Sequence, residues 1–346
     1  MKKIVHITND LQRLGGVQRL LVDLMALQKD DFEFEVILTR GENEYIGELK
    51  SLGVSVYHKR DLGLFGVIKR MNNADLVHAH LFPSMYIALL SSTLKIVTEH
   101  NPYYRRRDIK LVKWFESLFF RRFKKVVCIS GGVKTAFETI LNWRPGKALV
   151  INNGVDLSRF SMRKRSKSNL EIPVKLGMVG RLVKQKDIPT LIRTVEALGR
   201  DYELHLAGDG EQRHELETLV SDLGLNEKVF FHGQVNDIPL FLEGIDIYVQ
   251  SSNWEGFGLA VVEAMAAGLP CFATNVEGLN DVIKNDGLFE VGDVTRLTEL
   301  VLNVSKNIAN YNETSAFAIN TAYDFSIENT AKQHNELYNM LLGNKQ

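Results

Sequence analysis

Short runs of β-branched and aromatic residues alternate with longer segments whose apolar residues recur at helical spacing, almost from one end of the chain to the other. The runs KIVHIT (3–8), FEVILT (34–39), VSVY (54–57), DLVHA (75–79), KIVTE (95–99), KVVCIS (125–130) and ALVINN (148–153) read as strands. Between the first two, Leu20, Leu21, Leu24 and Leu27 mark one face of a helix over Gly16 to Gln28. Strands that are apolar without alternation, separated by helices, are covered on both faces, which requires βαβ units and a parallel sheet. A second series runs through VKLGMVG (174–180), YELHLAG (202–208), KVFFHG (228–233), IDIYVQS (245–251), LPCFAT (269–274) and GLFEV (287–291). The polar, basic stretch SMRKRSKSNLEIP (161–173) between them has no apolar period and predicts a linker. At 346 residues the chain is too long for one core, so it divides into α/β domains over 1–165 and 171–326. It closes on a helix from Ile327 to Leu342. Open parallel sheets bind ligands at the carboxyl ends of their strands, and two such domains imply a cleft.

The composition, 45% hydrophobic and 24% charged, excludes disorder and fibres. Cys128 and Cys271 sit in apolar runs and read as buried thiols in a reducing compartment. With no apolar h-region before Asn9 and Asp10, no signal peptide is expected. The uncharged stretch Leu76 to Leu94 contains His78, His80 and Pro83 and splits into strand, turn and helix rather than spanning a bilayer. The expectation is a cytoplasmic protein. Its net charge of zero conceals an asymmetry, because residues 1–170 carry 29 basic and 16 acidic side chains and residues 171–346 carry the opposite excess. The first half is therefore expected to meet an anionic partner.

The most informative stretch is SSNWEGFGLAVVEAMAAGLP (251–270). Glu255 and Glu263 stand seven residues apart, and GFGL between them opens a helix that Gly268 and Pro270 end. Glycines at 256 and 258 let backbone approach a ligand, and a helix N-terminus is a ready anion site. Acidic residues favoured by the helix dipole alone explain the same text. After the first strand, Gly15-Gly16 opens a helix and offers a second anion cradle, or an ordinary flexible turn. Arg181 and Lys186 follow the first strand of the second series, where a guanidinium fork and a point charge suit a diphosphate. Alone, they also read as a solvated basic loop. Four such features at equivalent places in two halves carry more than any one.

Together these stretches resemble glycosyltransferase family 4, the group 1 glycosyltransferases. GGVQR, VINNGVD (150–156), GRLVKQKD, LAGDGE (206–211), FHGQVND (231–237), the paired-glutamate text and DFSIENT stand in the family's order from end to end. The resemblance implies the GT-B architecture, two facing Rossmann-like domains, with the closing helix, about 327–343, packed back on the first. It also implies retaining transfer of a sugar from a nucleotide-diphosphate donor, a UDP-sugar before a GDP-sugar. The acceptor would be a glycan or lipid-linked, in bacterial cell-surface polysaccharide synthesis. Arg181 and Lys186 match the residues that neutralise the diphosphate, and Gly16 supplies backbone to it. Glu263 matches the ribose ligand. Glu255 and the backbone of Gly256, Phe257, Gly258 and Leu259 match the donor-sugar and phosphate contacts. The segment around Val235 would hold the base. His100 matches a histidine near the reacting sugar, although a histidine satisfied by loop backbone reads equally well; His78 and His80 read as strand-end structure. Val17-Gln18-Arg19 departs from the family's pattern and leaves any phosphate role there to backbone.

No Asp-x-Asp pair and no Cys/His cluster with metal spacing occurs in the sequence, so the leaving diphosphate is expected to be neutralised without a metal or other cofactor. The departing phosphate would help deprotonate the acceptor hydroxyl. An epimerase of the same architecture would need more ionisable loop residues, and a dehydrogenase would need a G-x-G-x-x-G after the first strand. A non-catalytic nucleotide-sugar binder keeps every binding residue. Nucleic acid is not an expected partner. Between Arg105 and Lys125, nine basic residues face two acidic ones, with aromatics interleaved. Leu111, Phe115, Leu118 and Phe119 are expected to pack on the core. Arg105, Arg106, Arg107, Lys110, Lys113, Trp114, Arg121 and Arg122 are expected to lie on an anionic membrane, placing the protein peripherally on the inner face of the plasma membrane.

Overall fold

The computed structural model describes residues 1–13, 16–141, 146–160, 167–284 and 286–343, with backbone only for Arg105 and Arg106. It divides into two compact units, Met1–Gly154 with Ile327–Gln346, and Val155–Ser326. The first holds seven strands: β1 (Lys2–Thr8), β2 (Phe32–Leu38), β3 (Ser55–His58), β4 (Leu76–His80), β5 (Lys95–Glu99), β6 (Lys125–Cys128) and β7 (Ala148–Val150). They pair in parallel in the order β3-β2-β1-β4-β5-β6-β7. The second holds β8 (Val174–Val179), β9 (Tyr202–Ala207), β10 (Val229–Gly233), β11 (Ile247–Gln250), β12 (Cys271–Thr274) and β13 (Leu288–Phe289), in parallel order β10-β9-β8-β11-β12-β13. Both are Rossmann-like sheets, as the alternating pattern requires.

Register follows burial. In the first sheet Ile4 pairs with Phe34 on one side and Leu76 on the other, and all three lie in a core with Val22 and Met25 of the helix Gly16–Gln28. In the second, Leu176, Leu204 and Ile247 meet Ile188, Leu191, Ile192 and Val195 of the helix Ile188–Leu198. Pro189 starts that helix where its missing N–H costs nothing, and Gly199 ends it. Each fully buried Leu or Ile here contributes about 1.5–3 kcal/mol.

The closing helix Ile327–Leu342 belongs to the first unit. Ile327 and Ala331 cluster with Leu20 and Leu24, and Tyr338 sets its ring edge-on to Phe32 at 5.5 Å. The boundary differs from the expected linker. Val155 donates its N–H to Phe325 O at 2.9 Å and bridges to Ser326, while Leu157 and Phe160 are buried. Backbone pairing and two apolar anchors therefore bring residues 155–160 into the second unit. Lys167 also belongs there, exchanging two hydrogen bonds with Asn312 at 3.0 Å each. Residues 161–166 of the expected linker lie outside the described residues.

Candidate functional site

The order of the second sheet reverses between β8 and β11, and ligands bind open sheets of this kind outside the carboxyl ends at such a switch point. The chain leaving β8 forms Gly180-Arg181 and a tight turn, Lys184–Lys186, ending at Asp187 with φ 43°. The chain leaving β11 carries Ser251 to Gly258. Hydrogen bonds staple the two loops: Asn253 N to Gln185 O at 2.7 Å, Asn253 Nδ2 to Lys184 O at 2.7 Å, Gln185 Nε2 to Trp254 O at 2.9 Å and Ser251 Oγ to Lys186 O at 2.8 Å.

That staple places the Lys186 ammonium in an ion pair with the Glu255 carboxylate, which also accepts from Ser252 Oγ at 3.3 Å and Gly256 N at 3.2 Å. Arg181 is exposed at the end of the same strand, and its guanidinium has no ion pair or hydrogen bond among the described residues. Lys186, Glu255 and Arg181 thus share one rim of one sheet.

The helix Leu259–Ala266 starts at Gly258, whose φ of 93° favours glycine and where an added Cβ would lie 2.6 Å from Leu279 Cδ2. Gly278 is equally constrained: its φ is 89° and a Cβ would meet Glu255 O at 2.6 Å. Both glycines let the loop after β12 close on the backbone at 255–258. The carboxylate of Glu263, one turn into the helix, has no hydrogen-bond partner among the described residues. Burial pushes its carboxyl up to about 7, against the opposing charge of Arg159. Phe257 is buried, with its ring edge-on to Phe325 at 5.4 Å, so at this position only backbone faces a ligand. Val235 lies half-buried in the loop after β10, at the same edge of the sheet.

Gly16 starts its helix in the first domain; Gly15 lies outside the described residues. His100 follows β5 and is buried. His78 and His80, read from sequence as strand-end structure, belong to a buried histidine cluster with His6, His100 and His334. His78 joins Tyr338 OH through Nδ1 and Thr98 Oγ1 through Nε2, each at 2.7 Å. The signal available in the sequence was a histidine near the end of three neighbouring strands, in KIVHIT, VHAH and TEH.

The expected membrane face needs two corrections. Arg107 is buried: its Nη2 lies 2.6 Å from Glu99 Oε2 and its Nε 2.6 Å from Glu116 Oε2. The helix Lys110–Phe120 turns Glu116 and Phe120 inward, Glu116 to Arg107 and Phe120 to the ring of Phe137 at 4.9 Å. The stripe expected in the core is consequently outside, with Leu111 63%, Phe115 41% and Leu118 46% exposed beside Trp114 at 60%. Phe119 is half-buried. Lys110, Arg121 and Arg122 are exposed and Lys113 partly so, while the side chains of Arg105 and Arg106 lie outside the described residues. Among the described residues no helix is long and apolar enough to cross a membrane.

Comparison with known proteins agrees with this architecture. Residues 14–159 match the family described as Glycosyltransferase Family 4, and residues 161–321 match Glycosyl transferases group 1. The chain is 29% identical to the UDP-Gal:alpha-D-GlcNAc-diphosphoundecaprenol alpha-1,3-galactosyltransferase of Escherichia coli, covering 89% of this chain and 91% of that one. It is 25% identical to the capsular polysaccharide biosynthesis glycosyltransferase CapH of Staphylococcus aureus, over 92% and 96%. Among solved structures, Anabaena HepE in complex with UDP-glucose superposes with a TM-score of 0.85 at 22% identity, covering 98% of this chain and all of that one.

Proposed function

The chain is a family 4, group 1 glycosyltransferase, and from that membership we propose that it transfers a sugar from a UDP-sugar, with retention and without a metal, to a lipid-linked acceptor of bacterial surface polysaccharide synthesis. The observation that carries the donor reading is the Lys186–Glu255 pair beside Arg181 at the switch point of the second sheet. Lys186 and Arg181 stabilise charge developing on the leaving diphosphate, and the N-terminus of the helix Leu259–Ala266 adds its partial positive charge. Glu255 orients the sugar hydroxyls. Glu263 accepts the ribose hydroxyls, and the loop around Val235 holds the base through its main chain. His100 acts at the reacting sugar. With the diphosphate neutralised by side chains, its own oxygen takes the proton of the acceptor hydroxyl.

A lipid-linked acceptor fits the exposed face of Leu111, Trp114, Phe115 and Leu118 flanked by Lys110, Arg121 and Arg122, which would seat the protein peripherally on an anionic bilayer. The relative from Escherichia coli carries a diphosphoundecaprenol acceptor in its name. The test is a turnover assay with a panel of UDP- and GDP-sugars and an undecaprenyl-diphosphate glycan, with and without EDTA, following product and its anomeric configuration. UDP-sugar turnover in EDTA with a retained anomer supports the reading. Loss of activity in EDTA that a divalent cation restores, or an inverted product, overturns it.

A further inference from the structure

Three of the buried histidines form a chain. His6 Nδ1 lies 3.0 Å from His80 Nε2, and His80 Nδ1 lies 3.4 Å from His100 Nε2. The sheet sets this up, because β1, β4 and β5 are successive neighbours: His6 lies two residues before the end of β1, His80 ends β4 and His100 follows β5. A neutral imidazole carries one N–H and one lone pair. Three of them hold three protons, and the two bonds of the chain use two. The third proton must sit at one end, on His6 Nε2 or on His100 Nδ1. Those two nitrogens are buried and have no partner among the described residues. Chains of mixed direction would set lone pair against lone pair, so two coherent states remain.

We infer that His80 and His6 are positioning residues that set the tautomer of His100, so that the chain as a unit decides whether His100 Nδ1 offers an N–H or a lone pair. The inference rests on the reading of His100 as the histidine at the reacting sugar. A ligand group that donates to Nδ1 draws the proton to His6; one that accepts draws it to His100. Burial favours the neutral rings this requires, pushing His6 and His100 down to about 3 and His80 well below its ordinary value. A metal is the competing occupant, since ligand nitrogens of His6, His78 and His80 lie within 4.8 Å of one another. Both nitrogens of His78 are already hydrogen-bonded, however, which leaves it no bare one to give.

The experiment records imidazole nitrogen–proton correlation spectra of the full chain labelled with nitrogen-15 in histidine, alone and with Zn²⁺. The wild type should show His6, His80 and His100 neutral and protonated on the same nitrogen, all on Nδ1 or all on Nε2. In His80→Phe the His100 nitrogens should move to the mixed values of an unconstrained imidazole, and in His80→Asn, whose amide atoms stand two bonds from Cβ as Nδ1 does, they should stay. Turnover of His80→Phe should fall about tenfold in kcat with little change in donor KM, and Asn at that position should restore most of it. If His80→Phe does not fold, His80→Leu gives the same spectral readout. Unchanged His100 signals in these variants, or Zn²⁺ shifting His6, His78 and His80 together, overturn the inference. Full turnover of His100→Ala beside intact wild-type chain signals would instead overturn the role given to His100 itself.

Discussion

Lys186 and Glu255 are ion-paired across the carboxyl ends of β8 and β11, each side chain 16% exposed. A diphosphate that draws Lys186 must therefore compete with Glu255 for it. Lys186→Ala should lower kcat/KM by about 100-fold or more, and Arg181→Ala similarly, since each removes charge from the leaving group. Lys186→Ala should also weaken UDP binding more than the double variant Lys186→Ala/Glu255→Gln, because the single change leaves a carboxylate facing phosphate. Calorimetry with UDP decides this; equal affinities would separate Glu255 from the phosphate site.

Glu263 and Glu255 should differ. Glu263→Gln is expected to weaken UDP itself, while Glu255→Gln spares UDP and lowers transfer. The raised Glu263 carboxyl adds a sign. A ribose held by the carboxylate favours the ionised form, so wild-type UDP affinity should rise as pH passes upward through about 7. That part of the pH profile should vanish in Glu263→Gln.

The buried Arg107 and the exposed bases near it should separate into stability and membrane binding. Arg107→Ala removes the cation that Glu99 and Glu116 share and should cost about 3–5 kcal/mol, read by urea unfolding. Reversing Lys110, Arg121 and Arg122 to glutamate should leave stability nearly unchanged and abolish sedimentation with anionic vesicles, each base contributing about 1 kcal/mol. Trp114→Ala should remove the part of binding that survives salt. Vesicle binding untouched by the reversal would refute the membrane face.

The histidine cluster predicts acid sensitivity. His6 and His100 are pushed down to about 3 and His334 to about 4, against an ordinary value of 6.5. Between those limits the unfolded chain binds protons that the folded one refuses. Stability from these neutral rings is complete above about pH 6.5 and drains as pH falls toward 3. Urea midpoints at pH 7, 6 and 5 should fall in the wild type and fall less in His334→Leu. Parallel curves would show that His334 takes no part.

Both sheets, their strands and the helix carrying Glu263 were legible in the sequence. Continuous apolar runs such as KIVTE (95–99) leave a chain little choice but parallel strands covered on both faces. The motif at 251–270 equally marked where a loop must open a helix. Helical spacing did not reveal which face of Lys110–Phe120 turns inward, because the partners of that face, Arg107 for Glu116 and Phe137 for Phe120, lie outside the helix. The domain boundary escaped for a similar reason: Val155 is tied to Phe325, a partner 170 residues away that no local pattern reports.

The sequence by itself determined the α/β class, the two domains and the family, because strand and helix periodicity and the spacing of Glu255 and Glu263 are local properties. Only the tertiary structure decided partners: that Lys186 holds Glu255, that Arg107 is core, and that His6, His80 and His100 line up across three strands. Those pairings depend on strand order and on desolvation, which arise from residues remote in the chain meeting where water is excluded.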